Sequence, residues 1–414
     1  MIIHLACALG ALNLTLTHPA MQFPRSSIEL ERSWRLVLGS PGGELPLRLE
    51  FEDLGDELRA TLHNGRERIG IREVKREGAD LTLRIEPYDS YLFLHVSDDG
   101  QQMVGRWEKF ISEDRIATLT LEASAGEEPR FPLVALEAEE RAKLEGPWAV
   151  QFKSDESIAI GHFQAFADGR AEGTFETTLG DYRYLAGSFD GERLRLSCFD
   201  GGHAFLFEAR LNSDGELVGD FWSRDSWHDT WRAKRDENVK LPDSFALTTW
   251  TGSVALKDLV FPDLSNKPRS LADEEFLGKA RIITLFGTWC PNCNDEAIFL
   301  AELDKRYSER GLSVLGLAFE MDDNFERSKR QIERFNKRHG VQYPVLIAGT
   351  ADKKVASQAF PALDRVRAFP TAIFIDSKGQ VRAIHTGFSG PATGPAHEHM
   401  KERYELLIES LLQQ

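Results

Sequence analysis

The chain has 414 residues, a length that predicts two or three domains at about 150 residues each and excludes a small disulfide-stapled scaffold. Hydrophobic residues make up 42% and charged residues 28%, and beyond the first turns there is no apolar run of about 18 residues, which excludes a multi-span membrane protein. Lys plus Arg number 50 against 66 Asp plus Glu, a formal charge of -16 that repels nucleic-acid phosphates, so no nucleic-acid partner is expected.

The first residues, Met1 to Thr17, are mostly apolar and are followed by Pro19 and Ala20, a shape similar to a signal-peptide core. The first basic residue is Arg25 and no A-x-A site stands near Ala20, so residues 1–27 are an atypical export segment. The expected location is the periplasm or cell envelope; the alternative is an N-terminal strand of a cytoplasmic protein. Cys7 has His4 where a lipid-attachment signal needs Leu, so lipidation is not expected.

From Ile28 to about Arg235, short alternating runs are punctuated by hairpin signals such as Asn64-Gly65, Asp99-Gly100, Asp168-Gly169 and Asp214-Gly215. Leu81, Leu83 and Ile85 share one face of a strand, and Leu92, Leu94 and Val96 share one face of the next. The pattern recurs 113 residues on as Leu194, Leu196 and Cys198, then Phe205, Phe207 and Ala209. Trp34 likewise corresponds to Trp148, Gly55 to Gly169, and Val104-Gly105 to Val218-Gly219. The reading is two tandem antiparallel β units, 28–140 and 141–235, divided at the charged stretch Glu137 to Glu145. Each closes into a small barrel or the two pair into one sandwich.

A polar linker spans 236–253, and then the grammar changes. Buried-type strands at Arg281–Gly287 and Leu312–Phe319 flank a helix over Asn294–Arg310, a βαβ unit and hence a parallel sheet. A helix over Asn324–His339, a strand at Tyr343–Ile347 and a short helix at Lys353–Phe360 follow. Strands at Thr371–Ile375 and Gln380–His385 form a hairpin, and a last helix runs from about Glu398 to Leu412.

Trp289-Cys290-Pro291-Asn292-Cys293 stands where the first of these strands gives way to a helix. Pro291 suits the first helical position, where its missing N–H costs nothing. Cys290 then sits at the helix N-terminus, whose unpaired N–H groups and dipole favour a thiolate, the species that attacks disulfides. Cys293, within the first turn, can resolve a mixed disulfide intramolecularly. Two other readings of the pair are half of a zinc site and two structural core cysteines. The other cysteines are remote and no His pair follows at finger spacing, so no metal is expected.

With Phe261-Pro262-Asp263-Leu264 upstream and Phe369-Pro370-Thr371-Ala372 downstream, this arrangement resembles the TlpA-like (ResA-like) thiol-disulfide oxidoreductases of the bacterial envelope, which have a thioredoxin fold. The resemblance covers about Val254 to the C-terminus, leaving the β region outside it. It implies Cys290 as the exposed nucleophile, Cys293 as the buried resolving thiol and Pro370 as a proline held cis beside them. It also implies that Glu296 tunes proton transfer at the buried thiol; the plain alternative is an acid favoured by the helix dipole. Trp289, Pro291, Phe369 and Thr371 would shape substrate docking. Asn292 departs from the residues common between the two cysteines, which leaves the redox potential open.

Other features read plainly. Arg330, Arg334, Lys337 and Arg338 form a solvated helix face, Cys198 is an inert buried thiol, and Trp222, Trp227 and Trp231 cover or fill a β unit. His397 and His399 point to different sides of the last helix and make no metal site.

The fold expected is thus tandem β units followed by a thioredoxin-like α/β domain. The function expected is reduction of protein disulfides by a redox-active Cys290–Cys293 pair, without a bound cofactor and with an external dithiol or membrane electron donor. A thiol peroxidase is the first rival, though Thr288 stands two rather than three residues before Cys290 and no Pro precedes it. A β-region module that binds a protein or small ligand, with the dithiol as accessory, is the second.

Overall fold

The structure is a computed structural model that describes residues 30–413 apart from Asp56, Pro87 and Glu113. The apolar segment Met1–Thr17 and Cys7 lie outside the described residues. Among the described residues no helix is long and apolar enough to cross a membrane.

The first β unit is an antiparallel meander from Ser33–Ser40 to Arg115–Ala125. The first strand pairs with the last, Trp34 opposite Ala125, so the sheet curls into a barrel-like wall. Leu36, Leu49, Leu62, Leu83, Leu94 and Trp107 line its inner face and are buried, as period-2 alternation requires. The second unit closes fully: eight strands form a ring in which Trp227–Arg235 returns to pair with Pro147–Phe152. Aromatic rings fill its interior. Phe207 stacks on Phe221 at 4.2 Å, and Phe175 lies 4.7 Å from Phe207 and 5.2 Å from Trp231. Trp231 is therefore core, Trp222 packs on the first unit's cluster, and Trp227 is exposed.

Matched residues do matched work in the two units. The indole N–H groups of Trp34 and Trp148 donate to the carbonyls of Glu31 and Leu144, at 2.7 and 3.0 Å. Gly105 and Gly219 allow backbones to touch, since a Cβ at either would stand 1.9 Å from the carbonyl oxygen of Phe93 or Glu208. The hairpins differ in register: Leu83 faces Leu92, whereas Leu196 faces Phe207 and not Phe205. A slide of two residues keeps every side chain on its own face, so it is invisible to a hydrophobic pattern.

The units are fused by a buried joint. Phe199, Ala204 and Leu206 leave the second ring to join the first unit's core, and the Asn64 amide exchanges hydrogen bonds with the backbone of Phe199 at 2.9 and 3.1 Å. Arg130 donates to Pro46 O and Ser197 Oγ, each at 2.8 Å, and burial pushes its pKa down to about 10.

The C-terminal domain is thioredoxin-like. Its sheet contains β1 (Ala280–Phe286), β2 (Leu312–Glu320), β3 (Val345–Thr350), β4 (Thr371–Ile375) and β5 (Val381–Thr386), in the order β3-β2-β1-β4-β5. The first three are parallel and the last two antiparallel. Helices α1 (Pro291–Tyr307), α2 (Phe325–His339), α3 (Lys353–Ala359) and α4 (Pro395–Leu412) complete it. Three boundaries move by a few residues. Helices α1 and α4 start early at Pro291 and Pro395, each suited to a first turn, and β3 starts after Pro344. The stretch expected as a polar linker is partly tied down: Phe245 packs on His385 at 4.7 Å, and Thr248 shares a 2.7 Å hydrogen bond with Thr386. A short hairpin, Val260–Pro262 with Pro268–Ser270, precedes the sheet.

Candidate active site

Strand β1 is buried throughout, and its run of Ile and Leu ends at Gly287, where the chain turns into α1. Cys290 is the N-cap of α1 with extended backbone, and Pro291 follows at the first helical position. The carbonyl of Cys290 takes hydrogen bonds from the backbone and side-chain amides of Asn294, at 3.1 and 2.8 Å. His339 contacts the other end of that side chain at 2.6 Å, and burial holds the imidazole's pKa down at about 3. Cys290 and Cys293 are both free thiols. The Cys290 thiol lies 3.4 Å from the carbonyl oxygen of Phe369, and the Phe369–Pro370 peptide is cis. Cys293 is buried, and burial raises its thiol pKa well above the usual range, with the neighbouring Cys290 and Glu296 adding to the effect.

Glu296 reaches across from α1 to β1 and α4. Thr284 Oγ1 donates to it at 2.5 Å and the Tyr404 hydroxyl at 3.3 Å, and Tyr404 in turn meets His385 Nδ1 at 3.1 Å. Burial outweighs these hydrogen bonds and pushes the carboxyl pKa up to about 7. A second buried carboxyl, Glu320 at the end of β2, accepts the Thr288 backbone N–H at 3.0 Å and its hydroxyl at 2.6 Å. Burial pushes this group to about 7 as well.

The β region covers the dithiol, and this corrects the expectation of an exposed nucleophile: Cys290 is only 6% exposed. Gly202, in a hairpin loop of the second unit, lies against Pro291; a Cβ there would come 2.9 Å from the proline ring and 3.2 Å from Tyr88. Lys109 of the first unit donates to Gly202 O at 2.7 Å, and burial brings its ammonium pKa down to about 8. Asn292 donates to Asp181 and, at 3.3 Å, to Phe388 O. Arg183, in left-handed backbone with φ 63°, binds Asp295 of α1 and Glu67 of the first unit, the latter at 2.5 Å, with Asp200 at 3.7 Å. One guanidinium thereby ties three parts of the chain together.

Three expectations about side chains change accordingly. Thr371 is fully buried and donates to Ala368 O at 2.9 Å, so it braces the loop from inside instead of facing a substrate. Pro291 is buried under Gly202, and of the proposed docking residues Trp289 alone keeps partial exposure, its indole donating to Phe319 O at 2.8 Å and its ring edge-on to Phe369 at 5.9 Å. The basic face of α2 is solvated only at Arg330 and Lys337. Arg338 donates to Gly70 O of the first β unit at 3.3 Å, Arg334 is half-buried, and Arg327, one turn ahead, binds Asp89 with its guanidinium 3.1 Å from the Phe110 ring centre. Cys198 is buried as expected, and burial raises its thiol pKa well above the usual range. Thr284, Asn294 and Tyr404 are functional neighbours that the pattern does not single out; Thr284 alone carries a signal, being the one uncharged polar residue in β1.

The domain and its paired thiols define a thioredoxin-like dithiol protein. A Redoxin family model matches residues 251–398. The thiol-disulfide oxidoreductase ResA of Geobacillus kaustophilus is 32% identical over 136 residues, which is 33% of this chain and 69% of that protein. The thioredoxin-like protein YneN of Bacillus subtilis is 29% identical over 130 residues, 31% of this chain and 68% of that protein. A solved thiol:disulfide interchange protein of the thioredoxin family from Chlorobium tepidum aligns with 24% identity and a TM-score of 0.29, covering 37% of this chain and 92% of that one. The chain belongs to the ResA family of thiol-disulfide oxidoreductases, with the family relationship carried by its C-terminal third.

Arg183→Ala leaves Glu67 and Asp295 without their buried counter-charge and Asp200 with His203 alone, at a cost of about 3–5 kcal/mol. It is expected to lower the melting temperature and speed alkylation of Cys290 by iodoacetamide; an unchanged alkylation rate would show that the β region does not hold the thiol closed. Glu320 has a folded pKa above its unfolded one, so the native state favours its protonated form. The stability this lends is fully present below about pH 4.5 and is lost as pH rises through about 7. Glu320→Gln should therefore stabilise the protein by about 1–3 kcal/mol at pH 8 and have little effect at pH 4.5, as read by chemical denaturation at both pH values.

Proposed function

We propose that this thiol-disulfide oxidoreductase reduces disulfides of protein substrates outside the cytoplasm, with Cys290 as the attacking sulfur. The observation that carries this reading is the position of Cys290, at the N-cap of α1 and 3.4 Å from the Phe369 carbonyl, where a substrate strand would lie beside the loop. The Cys290 thiolate attacks one sulfur of the substrate disulfide, forming a mixed disulfide and expelling the other sulfur as a thiolate. Cys293 then loses its proton and attacks Cys290, which releases the second substrate thiolate and closes the Cys290–Cys293 disulfide. An external dithiol returns two electrons and two protons to regenerate the pair.

Glu296 takes the proton from Cys293. Its ordinary carboxyl pKa would make it a poor match for a thiol, and burial to about 7 brings it into the range where it both holds and gives up a proton near neutrality. Thr284 and Tyr404 keep it in place. Extracytoplasmic work fits the family and the apolar N-terminal segment, and the reductive direction fits a dithiol kept closed under the β region.

Cys290→Ser is expected to abolish dithiol-dependent insulin reduction, and Cys293→Ser to trap a mixed disulfide visible on a non-reducing gel. In stopped-flow measurements the resolution rate of the native chain should rise as pH increases through about 7, because Glu296 must be ionised to accept the proton. Glu296→Gln should remove that inflection; a profile unchanged in the variant would assign the proton transfer elsewhere.

A further inference from the structure

An open groove of about 770 Å³ runs between the second β unit and the C-terminal domain. Both of its walls lead to the dithiol. On one side the lining continues through Val366 and Arg367 to Phe369, whose carbonyl faces the Cys290 thiol. On the other, Thr178 and Leu179 lead into Gly180, which packs so closely on Asn292 that a Cβ would stand 2.9 Å from its side chain. The groove thus borders the two segments, 365–367 and 178–179, that run on to residues packed around the dithiol.

Its charge runs against the rest of the molecule. In a chain of formal charge -16, the groove is lined by Lys353, Lys354, Arg365 and Arg367. Arg367 is paired with Asp364 at 2.8 Å, but among the described residues Lys353, Lys354 and Arg365 form no ion pair. Asp155 is the one carboxylate on the lining. Lys353 is close enough to feel the charge of both Cys290 and Asp155, which oppose the lowering of its pKa by burial. Four cations against one carboxylate on the lining, with the apolar side chains of Leu179, Leu247 and Val366 among them, suit an anionic chain with some apolar character.

We propose that this groove binds an acidic, extended segment of the substrate polypeptide next to its disulfide, with Asp and Glu side chains against Lys353, Lys354 and Arg365. The proposal rests on the reductase reading above and names the kind of substrate that reading leaves open.

The test uses the full chain and two cystine peptides identical except for Glu or Lys flanking each cysteine, with dithiothreitol as electron source and uncharged hydroxyethyl disulfide as a third substrate. At low ionic strength kcat/KM should be about tenfold higher for the Glu peptide, and the gap should shrink in about 0.5 M salt. The double variant Lys354→Glu, Arg365→Glu should lose or reverse the preference while turning over hydroxyethyl disulfide at the native rate; Lys353 is left intact because its charge reaches Cys290. Binding is read separately, by titrating a Cys→Ser version of the Glu peptide into Cys290→Ser protein with and without the double substitution. Weaker binding in the double variant supports the groove even if turnover fails, which would strike the reductase reading alone. Equal kcat/KM for the two peptides, or a preference that survives the double substitution, overturns the proposal.

Discussion

The arrangement of this molecule depends on one buried guanidinium. Arg183 lies in the second β unit, yet its partners are Glu67 in the first unit, Asp200 in its own and Asp295 two residues past Cys293. A lone buried carboxylate is expensive, and three of them converging on one point would push the units apart. The arginine reverses the sign of that interaction and makes closure of the three parts favourable only when they meet in a single geometry. Its left-handed backbone, unusual for a residue with a side chain, is held by the surrounding packing and aims the guanidinium at the junction.

That junction alters the meaning of the C-terminal domain. Taken alone, the thioredoxin-like unit presents Cys290, Pro291 and Asn292 at the end of a helix, as its family membership implies. In this chain two of the three are met directly by the β region: Gly202 lies on Pro291, and Asp181 takes the hydrogen bond of Asn292. The β units thus form part of the surroundings of the dithiol.

What could be read in the sequence was local. The C-x-x-C pair, the strand before it and the helix after it follow from apolar runs, a proline and a spacing, and the order of strands and helices in the C-terminal domain follows from periodicity. The tandem β units were legible too, because Trp34 and Trp148, or Gly105 and Gly219, serve the same need in each. Contacts between units leave no such trace. Arg338 and Arg330 are indistinguishable in a helical pattern, yet one touches Gly70 and the other faces water. Nothing local marks Gly202 either, whose use is as a contact surface for Pro291. The register slide at Leu196 was hidden for the opposite reason: a two-residue shift preserves alternation perfectly.

The cover over Cys290 also bears on how the protein ages. A thiolate is converted to sulfenic and then to irreversible sulfinic and sulfonic acids at a rate that follows its exposure to peroxide. A reductant that waits between substrates with its sulfur in the open is consumed by that side reaction. Here Cys290 is 6% exposed, with Gly202 of the β region laid over the neighbouring Pro291. Enclosure of this kind separates the lifetime of the reduced pair from the oxidant load around it, so the protein can hold its electrons until a polypeptide of the right shape arrives.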